Sequence, residues 1–283
     1  MKRIIFISLI FLVVSVSYCI AAEEPSAVFR SISWLKGSAT ANIGSLAEIR
    51  MSEGYMFANG NDTRRLLEAM QNLTSGSELG LVGTEDLGYF VVFEFDNIGY
   101  VKDEEKDKLD ADAILNQLKK DTEQGNQERQ KRGWPAMNVV GWAVPPYYNS
   151  ETNNLEWAVK FADSNGVESV NFNTRYLGRK GVMRVTLVSD PKEFQSVLPK
   201  FRNLMTGFTY IQGEKYSQFV QGDTVAKYGL SALIVGGAAA AAVKSGLGKY
   251  LGKLIIVIGI AVLAFVKAIF GKIKDLFRRK PNT

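Results

Sequence analysis

The chain has no histidine, and its one cysteine, Cys19, lies in an N-terminal apolar stretch. Once that stretch is removed, no imidazole base, thiol nucleophile, disulfide or His/Cys metal site is left. Any catalysis would rest on carboxylates, Ser/Thr, Lys or Tyr. No Walker, dinucleotide or G-x-S-x-G fingerprint is present, so no cofactor is expected. Ser33 and Lys36 match S-x-x-K, but S-D-N is missing and Lys244 abuts an apolar run, so the match reads as chance. The domain also lacks a basic excess. Net charge is +5, yet residues 244–283 carry +8 and the N-terminal Lys2 and Arg3 carry +2, which leaves −5 for the rest. Nucleic acid is therefore not an expected partner.

What the chain does have is two terminal membrane signals. Lys2 and Arg3, an apolar stretch from Ile4 to Val16 and small residues at Ala21 and Ala22 make residues 1–22 a signal peptide. Residues 254–270 form a transmembrane anchor whose Lys267 can snorkel to the headgroups. Lys272, Lys274, Arg278, Arg279 and Lys280 follow, so residues 271–283 read as a basic cytoplasmic tail facing anionic lipid. A second charge-free run, 229–243, is rich in Ala and Gly and reads as a juxtamembrane helix. Gly236 with Ala240, and Gly237 with Ala241, have the small-xxx-small spacing of close helix association, a route to a homo-oligomer.

Residues 23–228 remain as the exported domain. Ala27 to Gly60 reads as short strands, and Asn61-Asp62-Thr63 caps a helix reaching about Asn72. Gly76 to Gly88 reads as loop, and Tyr89 to Phe95 as a strong strand. Asp110 caps a helix with Ala111, Ile114, Leu115 and Leu118 on one face, which runs into the polar tract 119–132 as a solvated extension or exposed loop. Four alternating runs fill Met137 to Ser189, with the first bending or ending at Pro145-Pro146. Asp190-Pro191 opens a helix with Phe194, Val197, Leu198 and Phe201 inward, and Lys215 to Tyr228 reads as helical. The expected fold class is α+β: an antiparallel β-sheet meander with helices packed on one face, plus the C-terminal transmembrane helix.

In order along the chain, the residues include Gly99-Tyr100-Val101-Lys102-Asp103, Leu109-Asp110-Ala111-Asp112 and Gly141-Trp142-Ala143-Val144-Pro145-Pro146-Tyr147-Tyr148. Leu155-Glu156-Trp157-Ala158, Leu177-Gly178-Arg179-Lys180-Gly181 and Ala226-Lys227-Tyr228-Gly229 complete the set. With these pieces the chain resembles an uncharacterised family of bacterial membrane-anchored proteins, each with one large domain of unknown function. The resemblance implies export, anchoring and a bacterial envelope address. It lends no activity and no catalytic residues.

Three groups of residues are candidates for function. Asp103, Asp107, Asp110 and Asp112 offer oxygens to a hard cation, although an EF-hand loop fails because Lys108 and Ile114 stand where Gly and Glu belong. The plainer reading is a solvated loop and helix start. Trp142, Tyr147, Tyr148 and Trp157 would cluster across a hairpin, as core if buried or as a surface for sugar rings or a partner protein if exposed. Gly236, Gly237, Ala240 and Ala241 form the helix-association stripe. The expected function is a non-enzymatic binding module held in the bacterial inner membrane by one span, its domain extracytoplasmic. A carboxylate-based hydrolase of envelope glycans or lipids, and membrane assembly through 229–270, are the alternatives.

Overall fold

The computed structural model describes residues 25–102, 109–149, 152, 154–227 and 230–234. The four alternating runs form the expected antiparallel meander: β7 (Met137–Asn149), β8 (Asn154–Asp163), β9 (Glu168–Leu177) and β10 (Val182–Ser189). A second meander comes from β4 (Tyr55–Asn59), β5 (Glu78–Thr84) and β6 (Tyr89–Asp96), with β1 (Leu35–Lys36) at its edge. The two fuse where β6 pairs with β10, giving an eight-stranded sheet ordered β1-β4-β5-β6-β10-β9-β8-β7. β2 (Ala39–Ile43), β3 (Ala47–Met51) and β11 (Phe208–Tyr210) make a small sheet of their own, ordered β11-β3-β2.

Residues in register across the large sheet share a face. Phe57, Val82, Val91, Leu187, Phe172 and Ala158 form one row and pack on the front core. That core is closed by the small sheet and by α4 (Phe194–Met205), which contributes Phe194, Val197, Phe201 and Leu204. The neighbouring row, from Ala58 and Leu81 to Trp157, faces the back. Half of the back is covered by α1 (Pro25–Ser31) and α2 (Gly60–Ala69), and half by α3 (Ala111–Lys131). Helices thus lie on both faces, where one was expected. This explains why all eight residues of β10 are buried; a sheet covered on both sides loses its polar face.

Other elements also differ from expectation. Pro25–Ser31 is a helix, so strands begin only at Leu35. The helix cap of α2 is Asn59, which accepts from the amides of Asn61 and Asp62. The stretch read as loop contains β5, and its glycines are there for space: a Cβ at Gly80 would overlap the Phe57 ring. α3 continues through Gly125 because its polar end is tied down. Asn126 exchanges two hydrogen bonds of 2.8 Å with the backbone of Met137, and Arg129 Nε donates to Pro135 O. β7 runs past Pro145 and Pro146 to Asn149, with register shifts before the pair and across it. At a sheet edge no outer neighbour needs the missing N–H.

Lys215 to Tyr228 is not a continuous helix. After a 3₁₀ turn at Tyr216–Gln218, the chain runs irregularly and Val225 bridges in parallel to Tyr100. The Asp223–Lys227 helical pair gives way to a two-pronged pair of Asp223 with Arg179, at 2.7 and 2.8 Å. Leu230–Leu233, the first residues of the 229–243 run, form a 3₁₀ turn set into the back core beside α3. No helix among the described residues is long and apolar enough to cross a membrane. Residues 1–22, the remainder of 229–243, 254–270 and 271–283 lie outside them, as do Gly236, Gly237, Ala240 and Ala241.

Hydrogen bonding to Arg179 holds the Asp223 carboxyl down to about 2, against an ordinary 3.8. A depressed acid stabilises the fold above its ordinary pKa and ceases to do so as pH falls through the folded value. Local opening of residues 211–227, read by amide hydrogen exchange, should therefore rise as pH drops from 3.8 toward 2. In Asp223→Asn that rise should vanish.

Candidate functional site

The expected aromatic cluster is divided by the sheet. Trp142, Tyr148 and Trp157 belong to the back core under α3, where Trp157 is buried and Trp142 Nε1 donates to Ala111 O at 3.3 Å. Tyr147 pairs with Glu156 across the strands, and that register puts it on the front. There the Tyr147 hydroxyl donates to Glu156 Oε2, while Arg202 of α4 binds the same carboxylate at 2.9 and 3.4 Å. Asn149 Nδ2 reaches Glu156 Oε1 at 3.4 Å. Burial and the bond to Glu156 push the Tyr147 phenol up, so it stays a donor. Burial works against the Arg202 guanidinium, but the Glu156 carboxylate more than offsets it. The cluster clamps the β7–β8 hairpin to α4, and Glu156 is held by three donors.

Of the acidic group, Asp110 caps α3, accepting from Ala113 N at 2.9 Å, and Asp112 is exposed in the first turn. Asp103 and Asp107 lie outside the described residues. Among the described residues no set of three His, Cys, Asp or Glu is placed to hold a metal.

Acids and bases are also spent on the back face. Glu78, Glu94, Arg184 and Arg175 sit opposite one another on four adjacent strands, and all are buried. Arg184 Nη2 donates to Glu94 Oε1 at 2.7 Å and to Ser77 Oγ at 3.1 Å, and Arg184 Nε lies 3.4 Å from Asp96. Glu78 accepts from the amides of Ser75 and Gly76. Arg175 donates to Leu233 O at 3.1 Å and lies 4.4 Å over the Trp157 ring. Burial pushes the Glu94 carboxyl up, and Glu78 and Asp96 add to this against the pull of Arg184. Burial lowers Arg184, but the three carboxylates hold it up as a cation. Burial, then Arg184 itself, brings Arg175 down to about 9.

Unspent polar groups gather instead on the front, in a groove of about 530 Å³ between the small sheet and the C-terminal end of α4. Ser38, Thr40, Arg50, Ser52, Asn203 and Thr206 line its rim, over Met51 and Leu204. The elements meet there because residue 207 is glycine: a Cβ would run into Arg50 O. Arg50 N donates to Gly207 O at 3.0 Å, which fixes the junction. Among the described residues, the side chains of Ser38, Thr40, Arg50, Ser52 and Asn203 make no hydrogen bond or ion pair. One end of the groove therefore offers a guanidinium and hydroxyls. The other offers the Asn203 amide; the carbonyls of Asn203 and Leu204 there already accept from Thr206 and Gly207. A ligand with both acceptors and donors would match this polarity. None of these six residues stood out in the sequence. Arg50 is the exposed residue between buried Ile49 and Met51 of β3.

The architecture is an α+β domain with a doubly covered antiparallel sheet and a polar groove beside α4. The chain belongs to the family described as Protein of unknown function (DUF2167), whose model matches residues 36–267. Among solved structures it is similar to the solution structure of cyanobacterial PsbP (CyanoP) from Synechocystis sp. PCC 6803. The two are 9% identical, 60% of this chain and 95% of that one are covered, and the TM-score is 0.36. No curated protein matches the chain.

Stability is the place to see the back-face charges at work. Arg184→Met leaves Glu94 buried without its cation and should cost about 3–5 kcal/mol in urea unfolding. Adding Glu94→Met to the same chain should return much of that loss, because no unpaired charge remains.

Proposed function

We propose that this protein is a non-enzymatic binding module of the bacterial envelope. Residues 254–270 hold it in the inner membrane, the domain is extracytoplasmic, and the front groove takes a polar, hydroxyl-bearing envelope ligand. One observation carries the binding reading: five of the groove's six polar side chains, those of Ser38, Thr40, Arg50, Ser52 and Asn203, have no partners within the described residues. By contrast, the buried carboxylates of Glu78, Glu94 and Glu156 are taken up by arginines, amides and hydroxyls. A general acid or base needs a group that can exchange a proton within reach of substrate, and the one ionisable side chain lining the groove, Arg50, stays a cation. Anchoring is supported by the sequence signals at both ends. Confinement to the membrane plane raises effective concentration, so a modest affinity suffices.

Placing p-benzoylphenylalanine at Thr40 tests the groove in living cells. Ultraviolet light should give a discrete adduct with an envelope component, and Arg50→Ala should remove it. Arg50 is exposed and unpartnered, so its replacement should change stability by no more than about 0.5 kcal/mol. An adduct indifferent to Arg50, or none at all, would sink the groove as the binding site.

Topology has its own measurement. Alkaline phosphatase fused after Thr283 should stay inactive, and a fluorescent protein in the same place should be bright. Strong phosphatase activity there would overturn the orientation.

A further inference from the structure

The irregular segment after β11 carries an apolar surface that the fold does not use. Phe219, Val220 and Val225 are 38, 51 and 41% exposed. Phe219 lies 4.3 Å from the Tyr100 ring between centroids, and the backbone of Val225 bridges to that of Tyr100. Tyr216 stacks on the same ring at 4.4 Å and donates its hydroxyl to Val101 O. Tyr100 N donates to Thr224 O at 2.8 Å, and Ala226 N to Tyr100 O at 2.9 Å. With Asp223 gripped by Arg179, the segment is pinned from both sides. The patch is held out in water by structure, and such a contiguous exposed apolar surface marks a place of contact.

Its place in the chain indicates what covers it. The chain enters the back core at Leu230, next to Tyr216 and Ala226 in the same cluster. Ile234 is the last described residue, and the apolar run 254–270 begins twenty residues further on. The patch thus belongs to the part of the domain from which the anchor departs. Exposed Lys215 and Lys227 flank it, and Lys227 has no partner among the described residues. Aliphatic and aromatic tips rimmed by ammonium groups are the composition that enters the boundary between headgroups and acyl chains. We infer that the Tyr100–Phe219–Val220–Val225 surface rests on the bilayer, so that the domain lies against the membrane in one orientation. This rests on the anchoring reading above.

Full-length chain in nanodiscs of phosphatidylethanolamine and phosphatidylglycerol separates the two. With Cys19 replaced by Ser, spin labels go on Val220→Cys and, in separate samples, Val225→Cys and Glu53→Cys. Glu53 is exposed and lies past the end of β3 opposite to Leu46, the residue that holds Ile211. Labels at 220 and 225 should lose accessibility to the water-soluble relaxant NiEDDA and keep it to oxygen, while the label at 53 stays open to NiEDDA. Chain that co-elutes with the discs but carries NiEDDA-accessible labels at 220 and 225 would overturn the bilayer contact alone. Chain that fails to co-elute would overturn the anchor and this inference together.

Discussion

The pairing of β6 with β10 is the constraint on which the rest of the molecule depends. It joins two meanders that would otherwise each be a small sheet with an open edge. Its register puts Val91 opposite Leu187 on the front and Glu94 opposite Arg184 on the back. A slip by one residue would turn one strand over against the other, bringing either Glu94 or Arg184 into the front core and sending Val91 or Leu187 out of it. The buried ion pair therefore acts as a registration mark as much as a source of stability, since such a pair gains little over apolar packing. Chain between Asp96 and Val182 includes α3 and three strands, so the seam closes only after a long excursion.

That seam also explains where the unspent chemistry lies. On the back, charge is consumed in holding strands in line, from Glu78 across to Arg175 over Trp157. At the β7–β8 end of the front, Tyr147, Glu156 and Arg202 are consumed in fastening a hairpin to α4. In the front groove, Ser38, Thr40, Arg50, Ser52 and Asn203 are left with no side-chain partner among the described residues. The buried carboxylates of Glu78, Glu94 and Glu156 serve the fold.

Local pattern made much of this fold readable from the chain. Strict alternation from Met137 to Ser189 gave β7 to β10, and the spacing of Phe194, Val197 and Phe201 gave α4. Asp110 was legible as a cap because capping is a property of a few consecutive residues. β5 was hidden because Gly80 and Gly83 carry no strand signal; the need for glycine comes from Phe57 and Leu87, which only the fold brings near. The segment from Lys215 kept a helical charge spacing, but Arg179, remote in sequence, took Asp223 for itself. Trp142, Tyr147, Tyr148 and Trp157 were grouped because a hairpin brings them together, but Tyr147 stands an odd number of residues from both Trp142 and Tyr148 and falls on the other face. The groove was invisible for a related reason: residues 38–52 and 203–207 become neighbours only when α4 docks against the small sheet.

The outermost strand of the large sheet has a consequence for the behaviour of many copies crowded in one compartment. β7 is thirteen residues long, enough to template a further strand from another molecule. Its interrupted register and the two adjacent imino acids deny an incoming backbone a regular set of donors. The opposite border is only two residues, Leu35–Lys36. Both borders of the large sheet thus give an incoming strand little to pair with.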